Sequence, residues 1–173
     1  MVITLIEPSL VMLIGPSGSG KSTLARRYFR ATEVLSSDFC RALVCDDESD
    51  QSATDDAFEL LHLILAKRLR RRRTTVIDAT NVQRIARESL ILAARKYNVA
   101  LVAIVFALPE EVCRMRNEQR AYRQVPGDVV QKQIAELAKS ITQLDGEGFH
   151  SIYRIETVDE AESVILARQS AHS

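Results

Sequence analysis

At 173 residues, with 23 basic and 23 acidic side chains, the chain carries no formal net charge, which argues against a general nucleic-acid coat protein. Its 46% hydrophobic and 27% charged residues are those of an ordinary soluble globular chain, and the length fits one domain with a real core. No apolar run is long enough to span a membrane, and the N-terminus lacks the basic start of a signal peptide. Cys40, Cys45 and Cys113 are odd in number and lack metal-ligand spacing, so they read as reduced thiols in a cytoplasmic protein. His62, His150 and His172 are scattered and suggest neither a metal site nor a triad.

In chain order, residues 2–6 are β-prone, and Glu7-Pro8-Ser9 turns into an unbroken apolar run over 10–14. These two segments are expected to form a hairpin, the second of them a strand buried on both faces. Residues 15–22, GPSGSGKS, then match G-x-x-x-x-G-K-[ST] at every fixed position. The glycines let successive N–H groups turn inward around phosphate oxygens, and the following helix adds the positive end of its dipole. Gly15, Ser17, Gly18, Ser19, Gly20, Lys21, Ser22 and Thr23 are therefore the predicted nucleotide-binding residues. Lys21, expected to point into a solvated crevice, would reach the β- and γ-phosphates, and the Ser22 hydroxyl would ligate Mg²⁺.

Residues 33–38 read as a strand delivering Asp38 to its carboxyl end, followed by a helical turn over 39–44 and an acidic surface loop over 46–52. Asp38 and Arg41 lie three apart and share a helix face. That pair suits a general base beside a phosphate grip, or else a helix cap with a nearby salt bridge. Residues 53–73 form a long predicted helix ending in KRLRRRR, either an electrostatic landing strip for phosphates or a solvated helix end. In the strand predicted at 74–79, Asp78 is either a support for Mg²⁺, directly or through water, or a buried cap of the Thr80-Asn81 turn. A helix marked by Ala86, Leu90, Ala93 and Tyr97 leads to the apolar run 100–108, a buried strand.

Pro109-Glu-Glu opens a further helix, on which Arg116, Arg120 and Arg123 fall on one stripe and Arg114 on another face. Arginines closing over a nucleotide would neutralise the phosphoryl group in flight, whereas a solvated basic face is the alternative. Residues 126–144 are helical, 151–156 the last strand and 159–168 the last helix. Strands alternating with helices imply a parallel sheet in a three-layer α/β arrangement, with ligands bound beyond the carboxyl ends of the strands.

The ensemble GPSGSGKST, SSDFCR, VIDATN and RxxxRxxR resembles the 5′-hydroxyl polynucleotide kinase domain of bacterial RNA-repair end-healing enzymes and, more distantly, the phage polynucleotide kinase. The resemblance implies a single P-loop kinase domain over 1–173, with an arginine-bearing helical lid over about 109–145. It also implies transfer of the γ-phosphate of ATP or another NTP, with Mg²⁺, to a 5′-OH end of RNA or DNA. By that resemblance Asp38 is the general base, Lys21 and Ser22 serve the phosphates and Mg²⁺, and Arg41 grips the substrate-side phosphate. Arg116 and Arg120 would form the lid over the triphosphate, and Arg123 and Val129 would cover the base. In that family the kinase is the N-terminal module of a larger repair protein with phosphatase and ligase-like modules. Two other readings carry weight: a P-loop kinase of an antibiotic, a sugar acid or a nucleotide sugar, and a nucleotide-dependent switch without transfer chemistry.

Overall fold

The computed structural model describes residues 1–121 and 124–170. Its centre is a sheet of five parallel strands in the order β3–β4–β2–β5–β6: β2 (Ser9–Ile14), β3 (Val34–Ser36), β4 (Thr75–Asp78), β5 (Ala100–Phe106) and β6 (Ser151–Ile155). Every residue of β2 and β4 is buried, as continuous apolar runs in a parallel sheet must be when both faces are covered. The two-residue side-chain period divides β2 between two cores. Leu10, Met12 and Ile14 pack beneath α2 (Ser37–Cys45), α3 (Thr54–Arg70) and α4 (Arg84–Lys96). Val11 and Leu13 pack on the other face with Leu24 and Ala25 of α1 (Lys21–Tyr28) and Cys113 of α5 (Glu110–Glu118). Helix α6 (Gly127–Ser140) supplies Leu137 to the first core and Val130 to the second, so it clamps the layers together.

Two expectations fail at the chain's ends. The first strand, β1 (Val2–Glu7), does not form a hairpin with β2. It pairs in parallel with β7 (Ile165–Ser170), Val2 opposite Ile165 through Glu7 opposite Ser170, in a separate two-stranded sheet. The helix expected over 159–168 is accordingly only the short α7 (Val158–Glu162) followed by that strand. Ile3 and Leu5 of β1 are fully buried in the second core, so the small sheet covers the face that a further helix would otherwise cover.

Smaller differences matter for the site. The strand expected over 33–38 shrinks to β3, because Ser36 Oγ accepts the Phe39 amide (3.3 Å) and starts α2 early. Asp38 therefore lies in the first helical turn rather than on the strand. Helix α3 stops at Arg70 instead of 73, and the helix expected over 126–144 is α6 continued by a 3₁₀ segment, Ile141–Gly146. A buried ion pair fixes that segment: Arg87 of α4, fully enclosed, donates through Nε to Glu147 Oε2 at 2.8 Å and also reaches the Asn81 and Val82 carbonyls. Among the described residues no helix is long and apolar enough to cross a membrane.

Candidate active site

The carboxyl end of β2 runs straight into the loop Gly15–Gly20 and thence into α1, which places the loop amides and the helix N-terminus at one spot. Gly18 shows why the loop needs glycine. Its φ is +82°, and a Cβ there would stand 2.0 Å from the carbonyl oxygen of Cys113 in α5. The loop backbone is thus pressed against α5. From α6, Gln133 Oε1 accepts the Ser17 amide (2.8 Å), tying a second helix to the loop.

Lys21 is not in a solvated crevice. It is buried, 7% exposed, and its Nζ donates to the Pro16 carbonyl (2.7 Å) and to Ser19 Oγ (3.4 Å). Burial pulls its pKa down to about 8; Asp78 works against that shift and Arg120 adds to it. A buried ammonium whose hydrogen-bond acceptors are neutral oxygens is a group that phosphate oxygens would satisfy better, so the loop fits a nucleoside triphosphate. Burial likewise pushes the Asp78 carboxyl above its ordinary range, while the hydroxyl of Ser22 donates to it and Lys21 attracts it. The Ser22 hydroxyl and the Asp78 carboxylate thus stand side by side, a hard oxygen pair of the kind Mg²⁺ takes.

Above the loop lies a cleft of about 490 Å³, the size of a small-ligand site. Gly18, Gly20, Lys21, Ser22 and Thr23 line its floor, with Arg116 and Arg120 on the lid side. A guanidinium nitrogen of Arg116 is 3.6 Å from where a Cβ on Gly20 would sit, so it overlies the phosphate cradle. The expected single arginine helix is corrected here: α5 ends at Glu118, and Arg120 enters the cleft from the segment beyond it. That segment is anchored by Asn117, whose amide donates to the Val125 carbonyl (2.7 Å) and accepts the Val125 amide (3.1 Å). Arg123 lies outside the described residues. Val129, in the first turn of α6, does not line the cleft.

The acidic side is built by α2. Arg41 is 4% exposed and donates to Asp38 Oδ1 (2.9 Å) and to the Glu48 carbonyl (2.7 Å), which fixes the carboxylate. Its Nε is buried without a hydrogen-bond partner among the described residues. Because Ser36 caps α2, Asp38 is not needed as the cap. The charge of Asp38 is felt at both Lys21 and Asp78, so the three groups share one neighbourhood. Sequence reasoning missed the far wall of the cleft, where Arg26, Arg27 and Tyr28 of α1 face Ala161 and Glu162 of α7. The exposed, second-turn position of Arg26 and Arg27 was a local signal, but α7 arrives from more than 130 residues away with none.

The family model for the AAA domain matches residues 10–144, from the first central strand through the lid. The chain belongs to the AAA domain family. Its fold is the parallel-sheet α/β fold of P-loop kinases, and membership implies ATP binding. No curated protein matches it. Among solved structures it is similar to a chain of the Pnkp1/Rnl/Hen1 RNA repair complex, with TM-score 0.69, 23% identity, 80% of this chain and 46% of that one covered. It is also similar to the AvrRxo1-ORF1:AvrRxo1-ORF2 complex with ATP, at TM-score 0.64, 15% identity and coverage of 82% and 50%. A gluconokinase from Sinorhizobium meliloti 1021 matches at TM-score 0.57 and 19% identity over 91% of this chain and 87% of that one. The chain thus spans about half the length of the first two.

Proposed function

We propose that the protein transfers the γ-phosphate of ATP to the 5′-hydroxyl of an RNA or DNA strand. The observation that carries this reading is the Asp38–Arg41 pair, a carboxylate held at 2.9 Å by a buried guanidinium in the electrostatic neighbourhood of Lys21. In the proposed reaction the loop amides and Lys21 hold the β- and γ-phosphates; Ser22 and Asp78 are the residues that would hold Mg²⁺, which would supply neutralisation of phosphate charge. Asp38 accepts the proton of the acceptor hydroxyl as its oxygen bonds to the γ-phosphorus. The bond from that phosphorus to the β-phosphate oxygen breaks, and ADP leaves. Arg116 and Arg120 stabilise the charge in transit, and Arg41, which holds Asp38, grips the substrate-side phosphate. Arg123 is proposed to meet the base, whereas the place of Val129 outside the cleft speaks against that role for Val129.

The nucleic-acid acceptor is favoured by the SSDFCR and arginine pattern and by the likeness to a chain of an RNA repair complex. We infer that the kinase works in the cytoplasm, in keeping with its free cysteines, and, by the family resemblance, beside phosphatase and ligase-like modules. One observation favours a second reading, a small-molecule kinase: the gluconokinase is matched over nearly its whole length. Transfer from γ-labelled ATP to 5′-OH oligonucleotides, free nucleosides and sugar acids separates the two. Labelled oligonucleotide with unlabelled nucleoside and gluconate is the expected result. Labelled gluconate alone would overturn the nucleic-acid reading.

A further inference from the structure

The basic run at 67–73 is not used by the site just described, because it lies at the amino-terminal edge of the sheet, where β2, β3 and β4 begin. Helix α3 ends there in a paired reverse turn: the Arg72 amide donates to the Leu69 carbonyl (2.9 Å) and the Arg73 amide to the Arg68 carbonyl (3.1 Å). Arg72 holds the left-handed position of that turn, φ 56°, where glycine is the usual residue. The turn brings the run into a cleft of about 580 Å³. Arg30, Arg68, Arg72, Arg73 and Arg168 line it, drawn from three separate stretches of chain.

The cleft's two carboxylates, Glu7 and Glu33, do not balance these charges. Both are engaged by Arg168, at 2.9 and 2.8 Å. Arg68 donates to the Thr74 carbonyl and Thr75 hydroxyl, and Arg72 to the carbonyls of Tyr97 and Asn98, all neutral acceptors. Burial holds the Arg68 guanidinium below its ordinary pKa; Glu33 works against that shift and the charge of Arg73 adds to it. Five guanidinium groups with two carboxylates leave the cleft strongly positive. Its volume is that of a nucleotide-sized ligand rather than a single ion.

We propose that this cleft binds consecutive phosphate groups, a second anion site on the opposite edge of the sheet from the phosphate loop. The chemistry suits guanidinium recognition of phosphate oxygens, and its source is either a nucleic-acid strand or a free polyphosphate. The test measures binding of a labelled single-stranded oligonucleotide and of tripolyphosphate to the full chain, with a non-hydrolysable ATP analogue and Mg²⁺ saturating the loop. Arg30→Ala/Arg73→Ala should weaken at least one ligand about tenfold and, for the oligonucleotide, lower the salt slope by about 1.4. Arg71→Ala removes a charge from the same run outside the cleft and should change little. Loss confined to the oligonucleotide identifies a strand, and loss confined to tripolyphosphate identifies the free anion. No binding of either ligand, undiminished binding of both by the double variant, or an Arg71→Ala effect equal to that of the double variant overturns the proposal. Thermal unfolding of each variant guards against a loss of fold.

Discussion

Lys21 couples the chemistry of the loop to pH. Its folded-state value of about 8 lies below the ordinary 10.5, so folding favours the neutral amine. The stability this contributes is present above about pH 10.5 and is lost as pH falls through about 8. At pH 7 the buried ammonium therefore costs stability, and Lys21→Met should unfold no lower than wild type by calorimetry while losing transfer. Phosphate oxygens favour the ammonium, so ATP binding above pH 8 should take up a proton, visible as a buffer-dependent heat in titration calorimetry. Binding heats independent of buffer would argue against Lys21 meeting phosphate. At Asp38 the question is proton acceptance alone. Asp38→Asn keeps the shape and the contact with Arg41, and single-turnover transfer should fall by about 10²–10⁴ with ATP affinity little changed. A wild-type rate would leave Asp38 only a partner for Arg41.

Helix α5 and the segment after it carry Arg116 and Arg120, the arginines of the proposed lid. Arg116→Ala and Arg120→Ala should each slow turnover by about 10²-fold or more, as loss of a charge-stabilising donor does elsewhere. Arg114, paired with Glu110 at 3.6 Å on the exposed side, should be nearly silent when replaced by Ala. Equal effects at all three positions in steady-state assays would mean a general basic surface. This element was partly legible in the sequence. The helical period puts Arg114 and Arg116 on different faces, but nothing local reveals that the helix stops at Glu118, since Asn117 ends it through a tertiary bond to Val125. The central strands were readable because β2 and β5 are buried on both faces and so carry no polar interruption. Strand β7 was not readable. Its sequence, ILARQS, is half polar and mostly exposed, and it is a strand because β1, some 160 residues earlier, offers it a ladder.

At the scale of the whole molecule, an enclosed charge pair ties two elements of the helical layer together. Arg87 joins α4 to Glu147 beyond the 3₁₀ segment, with both side chains almost wholly out of solvent. Arg87→Met should therefore lower stability by about 3–5 kcal/mol in denaturant unfolding, because it strands a buried carboxylate. Arg87→Met with Glu147→Leu should recover much of that loss, and a double variant as unstable as the single would show that the pair's hydrogen bonds to Asn81 and Val82 matter more. A further long-range lock is the seat of Gly18 against the carbonyl of Cys113. It means that the cradle and the root of the lid are one casting. The contact is with a backbone carbonyl, so a helix carrying other side chains would make the same demand for glycine at position 18. Only a change in where the backbone of α5 runs would release it.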